Sequence, residues 1–239
     1  MTSRSCLRVV SALAIVLLLH GMQSAAHADV YWIGAASNDW ANPANWSNGF
    51  PSDVGAGSTI LNPGSPNLAP LVSTSGNTTT GQIYVSIGAG LNVASGGTLT
   101  TSDLLTGQFG NSGGTIVTGG LLSMNGGLYL GNGGYDGKID ISGGLVQSQV
   151  LSINTTGGAG MNISGNGTFI TGSSQLGNVQ YWVANNNIKA NNGAPGWYIN
   201  IDTTTDPSKI ILTAVPEPSA IAVAAIGVAA LAVRRLRRR

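Results

Sequence analysis

The chain has 239 residues, of which 42% are hydrophobic and only 8% charged, against about 25% charged in an ordinary soluble domain. Ten Lys and Arg stand against nine Asp and Glu, but seven of the ten are arginines at the two ends, and residues 29–214 hold eight Asp, three Lys and neither Arg nor Glu. A weakly acidic body without a basic stripe excludes a nucleic-acid partner, whose phosphates must be neutralised by Lys and Arg.

The first segment, MTSRSCLRVVSALAIVLLLHGMQSAAHA, places Arg4 and Arg8 before an apolar stretch from Val9 to Leu19 and ends on Ala26-His27-Ala28. A cationic start, a short apolar run and a small-x-small end make residues 1–28 a secretory signal peptide, a helix read by the Sec export machinery and cut by signal peptidase at Ala26 and Ala28. Cleavage there removes Cys6, His20 and His27. The exported body then has no thiol for a disulfide and no imidazole, so packing and hydrogen bonding alone must hold it.

Residues 29–80 open the body with DVYWIGAASNDWANPANWSNGFPSD, which packs Tyr31, Trp32, Trp40, Trp46 and Phe50 into about twenty residues. Such a cluster is expected to form an N-terminal cap, since the open end of a stack of strands needs covering. The order Trp32, Gly34, Trp40, Pro43, Asn45, Trp46, Gly49, Pro51 resembles the segment that opens many secreted proteins with autotransporter-like β-strand repeats. Flat indoles also suit the apolar faces of sugars. Trp32, Trp40 and Trp46 are therefore candidate carbohydrate-binding residues, with burial inside the cap as the competing use.

Residues 81–180 carry a repeat. The units LNVASGGTL, TIVTGGLLS, IDISGGLVQ and NISGNGTFI place a Ser or Thr at 95, 118, 142 and 164, and a second apolar segment follows each: Leu104-Leu105, Leu128–Leu130, Val150–Ile153, and Leu176 with Val179. Short β-branched runs between Gly and Asn turns read as strands; no window repeats apolar residues at helical spacing over about eleven residues. A unit of about 23 residues with two or three strands is one coil of a right-handed parallel β-helix, with glycine at corners that need positive φ. The expected fold is thus an all-β solenoid, and a β-sandwich, which has similar strands but needs no repeat, is the alternative.

Enzymes occur on such folds, but the supply of catalytic side chains is poor. Hydrolases need paired carboxylates, and in the repeats only Asp136 and Asp140, with Lys138 between them, come near that pattern. GGYDGKID lacks the GGxGxD spacing of calcium-binding repeats. A polysaccharide lyase or hydrolase is therefore the distant reading, and no enzyme, metal or cofactor is expected. Residues 181–214 supply closing strands around an Asp206-Pro207 turn, with Tyr181, Trp182, Trp197 and Tyr198 nearby.

The last segment, residues 215–239, reads VPEPSAIAVAAIGVAALAVRRLRRR. Its apolar run would make a transmembrane helix of about 22 Å, somewhat short of the ~30 Å hydrocarbon core, and snorkelling arginines can cover part of the deficit. Arg234, Arg235, Arg237, Arg238 and Arg239 form a membrane stop that stays cytoplasmic by the positive-inside rule. Pro216 and Pro218 should deny the segment a regular ladder and leave Glu217 accessible. The order of Pro216-Glu217-Pro218, apolar helix and arginine cluster closely resembles the PEP-CTERM sorting signal of Gram-negative bacteria. That resemblance implies processing by exosortase at or near the triplet, a transient inner-membrane intermediate, and delivery to the cell surface or extracellular matrix. Carriers of such tails are envelope or exopolysaccharide-associated proteins, so exopolysaccharide becomes a candidate partner and a structural or adhesive role the expected function.

Overall fold

The computed structural model describes residues 29–51, 58–61, 69–79, 81–86, 88–108 and 113–218. The signal peptide with Ala26 and Ala28, the apolar tail and the five terminal arginines lie outside the described residues. Among the described residues, no helix is long and apolar enough to cross a membrane.

The described chain is mostly β, without a closed barrel. It visits three stacks of strands in the same order, pass after pass. The first stack holds β1 (Val30–Tyr31), β2 (Ser58–Leu61), β5 (Gln82–Ser86), β8 (Leu104–Gln108), β10 (Gly127–Leu130) and β12 (Val150–Ile153). The second holds β3 (Leu71–Val72), β6 (Gly90–Val93), the first halves of β9 (Gly113–Met124) and β11 (Gly137–Gln147), then β13 (Gly160–Ile163) and β15 (Ile188–Ala190). The third holds β4 (Asn77–Thr78), β7 (Thr98–Thr101), the second halves of β9 and β11, and β14 (Thr168–Gly172). Every pairing within these stacks is parallel. Parallel neighbours need a long return path, and here the strands of the other two stacks provide it.

The register carries the sequence repeat directly. Leu104 pairs with Leu128 and Leu128 with Leu151 in the first stack; Leu99, Leu122, Val146 and Phe169 follow one another in the third. These residues are fully or almost fully buried and belong to one continuous core running from Val30 to Ala214. Alternation within each strand points every second residue inward, so each inward position repeats as a column through the core. One column is mostly polar: Thr79, Thr101, Ser148 and Thr171 are all buried, with Met124 between Thr101 and Ser148, and the Thr79 hydroxyl donates to Thr101 Oγ1 at 2.9 Å.

The repeated Ser or Thr positions 95, 118, 142 and 164 mark the corner between second and third stacks, and the glycines beside them are required by contact. A Cβ on Gly120 would lie 2.5 Å from the carbonyl oxygens of both Ala94 and Gly97, and one on Gly144, at φ +74°, would lie 2.2 Å from the Gly120 oxygen. Only glycine lets successive corners stack that closely.

Two features depart from expectation. Leu176 and Val179 do not form a strand: they lie on α1 (Leu176–Ala184), which buries Val179 and Trp182. Nine residues are too short for a periodicity window of about eleven to register, although the apolar side chains at 176, 179, 182 and 183 fall on one helical face. The closing strands also turn back on themselves. β17 (Lys209–Pro216) runs antiparallel to β14 on one side and to β16 (Trp197–Asp202) on the other. Elsewhere the ladders are parallel, unlike the antiparallel sheets of a sandwich.

Candidate functional site

In the cap, Asn42 opens a short 3-10 turn over Pro43–Asn45 by accepting from Ala44 N–H, with proline suited to the first turn position. That turn sets Asn45 inside, fully buried. Its Oδ1 accepts from Ala36 N–H and Ser37 N–H at 2.9 Å each, and its Nδ2 donates to Ser37 Oγ at 3.0 Å and to the Asp39 carbonyl at 2.8 Å. One amide thus ties down the loop between Trp32 and Trp40. Trp46 follows it, stacked edge to face against Trp32 at 4.9 Å and Trp40 at 4.8 Å, with its indole N–H donated to the Trp40 carbonyl at 2.9 Å.

The three indoles are 5%, 0% and 4% exposed at Trp32, Trp40 and Trp46. A sugar stacks on an open ring face, and these faces are covered by one another and by the core. The candidate carbohydrate-binding set is therefore corrected: in this structure Trp32, Trp40 and Trp46 are packing residues of the cap. Trp182 is also buried, while Tyr181 and Tyr198 stand exposed at the far end.

The acidic pair of the repeat is separated by its partners. Lys138 Nζ lies 2.9 Å from Asp136 Oδ2, whereas Asp140 accepts from Asn162 Nδ2 at 3.0 Å, one coil further on. No group of three or more His, Cys, Asp or Glu able to hold a metal occurs among the described residues.

At the other end, the β16–β17 hairpin carries the Pro-Glu-Pro triplet. Pro216 is the last residue of β17, paired with Trp197, and Glu217 N–H donates to the Gly196 carbonyl at 2.8 Å. The ladder therefore reaches further than two prolines led us to expect. Proline is tolerated at a strand end, where the N–H it lacks is dispensable. Pro216, Glu217 and Pro218 are all exposed. The triplet leaves the folded body as a direct continuation of its last strand.

The family described as the PEP-CTERM protein-sorting motif matches residues 214–239. The chain carries a PEP-CTERM sorting motif. The motif implies an exosortase substrate, exported and sorted in association with the membrane toward the cell surface. The match begins at Ala214, within β17, and takes in Pro216, Glu217 and Pro218. For the body, no curated protein and no solved structure matches.

Sequence reasoning named Asn45 within the cap pattern but missed its role, because only the folded loop reveals which amide is enclosed. It also missed Gly196, whose carbonyl holds Glu217 and whose φ of +80° was not readable among so many glycines.

Proposed function

We propose that the protein is an exported, non-enzymatic right-handed β-solenoid that exosortase releases from a membrane intermediate to serve a structural or adhesive role at the cell surface or in the extracellular matrix. The observation that carries this reading is the sorting motif itself, joined without a linker to the closing strand. The five passes through three parallel stacks, each about 23 residues long, support a β-helix, and right-handedness follows the rule for parallel crossovers. The signal peptide, with cleavage at Ala26 and Ala28, would deliver the body through Sec. Autotransporter-like repeats remain part of the proposal through the cap motif of Trp32, Trp40, Asn45 and Trp46.

A non-catalytic role is supported by the poverty of proton-transfer groups in residues 29–214, which contain no His, Arg or Glu, and by the separate engagement of Asp136 and Asp140. The deciding experiment is fractionation of the producing cells with mass spectrometry of the protein's C-terminus. A new terminus near Glu217, recovered outside the inner membrane, is expected; an intact Arg239 retained in the inner membrane overturns the proposal.

A further inference from the structure

A groove of about 580 Å³ runs along the corner between the third stack and the first, where β9, β11 and β14 end, well within the size range of ligand sites. Its rungs come from successive coils. Ser123 pairs with Gln147, and Gln147 Nε2 donates to Ser123 Oγ at 2.9 Å. Two residues beyond that pair on each strand stand Asn125 and Gln149, both exposed, whose side-chain amides make no hydrogen bond with any described residue. The third rung is Gly172, which has no side chain, so the groove opens there toward the hydroxyls of Ser173 and Ser174. Val150, 38% exposed, and the half-buried Ile170 supply apolar surface on the groove wall.

The chemistry of this lining is narrow. Among the described residues that line it, Lys209 alone is ionisable, and Asp206 Oδ2 lies 3.6 Å from the lysine Nζ. The groove therefore offers a charged ligand almost no net counter-charge. It does offer amide groups that both donate and accept, hydroxyls that do the same, and aliphatic carbon beside them. Free donors and acceptors recur at the inter-strand spacing of about 4.8 Å, close to the advance of one ring along an extended glycan.

We propose that this corner groove binds a neutral oligosaccharide, with Asn125 and Gln149 contacting hydroxyls of consecutive sugar residues and Val150 and Ile170 meeting a ring's C–H face. The inference goes beyond the sorting proposal and is independent of it, since it concerns residues 123–209 and not the tail. Without an aromatic platform the affinity is weak, and many copies on a surface would act by avidity.

The test is calorimetric or NMR titration of the full chain in detergent with cellotetraose, maltotetraose and xylotetraose, and with tetragalacturonate as the anionic counterpart. At least one neutral tetrasaccharide should bind with Kd on the order of 1 mM. Asn125→Ala and Gln149→Ala, both at exposed positions, should each weaken that binding at least fivefold while the melting temperature stays unchanged; Lys209→Ala should not weaken it. The proposal fails if no neutral glycan binds up to about 10 mM, if binding survives both amide substitutions, or if tetragalacturonate binds best and depends on Lys209. The C-terminal mass spectrum reports the sorting proposal separately.

Discussion

Replacing Asn45 by alanine tests the idea that one amide organises the cap. The side chain is fully buried and makes four hydrogen bonds, two accepted and two donated. Their loss is not uniform. The Asp39 carbonyl keeps a second donor in Asn42 N–H, and exposed Ser37 can turn its hydroxyl to water. The two backbone N–H groups of Ala36 and Ser37 have no other acceptor among the described residues, and at about 1 kcal/mol for each net hydrogen bond they come to about 2 kcal/mol, to which the Asp39 contact adds less. Ser37→Ala removes an exposed hydroxyl that accepts from Asn45 Nδ2 and from Asp39 N–H, whose place water can take at the rim, and should cost about 1 kcal/mol or less. Urea unfolding followed by tryptophan emission measures both, because Trp46 lies against Trp32 and Trp40 and becomes wet when the loop opens. Equal costs for Asn45→Ala and Ser37→Ala would refute the reasoning, since the amide would then be only one polar contact among several.

The stacked corners and the closing turn give two further predictions. Gly120→Ala drives a Cβ into the carbonyls of Ala94 and Gly97 and should destabilise by about 1 to 3 kcal/mol, while Gly114→Ala, which meets nothing within 4 Å, should be close to neutral; thermal melts in which both behave alike would remove the case for close-packed corners. Asp202 is held well below its ordinary carboxylate range, first by the Thr205 hydroxyl and then by Thr204 N–H, the Thr204 hydroxyl and Thr205 N–H. A depressed folded-state value stabilises the protein above the unfolded value near 3.8 and is lost as pH falls below it. Asp202→Asn should therefore be less stable than the parent at neutral pH, with the two melting curves converging below about pH 4. A difference that stays constant across that range would contradict the assignment.

Much of this architecture was legible because the repeat is written twice, once as inward apolar residues and once as Gly-Gly corners. Leu122, Val146 and Phe169 share a column because they share a position in the unit, and Gly120 and Gly144 share a corner for the same reason. What escaped detection does not repeat. α1 occurs once and is shorter than any periodicity window; the β16–β17 hairpin breaks the parallel rule where the stack ends. Composition could place three indoles in a cap but not turn them. Whether Trp46 faces water or Trp40 depends on Asn45 closing the loop beneath it, a contact between residues that share no periodic pattern. The groove was equally invisible, since Asn125 and Gln149 sit in an Asn- and Gln-bearing chain where only the three-dimensional corner leaves their amides without partners.

The hairpin also decides what removal of the tail does to the body. β17 is held on both sides, by β14 from Lys209 to Thr213 and by β16 from Ile211 to Pro216, and its buried residues Ile210, Leu212 and Ala214 all precede the triplet. Beyond Pro216 the described contact to the body is the Glu217 N–H bond to Gly196. Among the described residues, cleavage at the triplet removes about one hydrogen bond, roughly 1 kcal/mol. If the tail instead completed the core, processing would leave a damaged stack with an open strand edge, which invites aggregation. Processed protein recovered from the cell surface and the unprocessed full chain, melted in the same detergent, should agree within about 1 kcal/mol. A loss of several kcal/mol on processing would mean that residues after Pro218 belong to the folded body, and that the sorting signal is part of the fold it is supposed to leave behind.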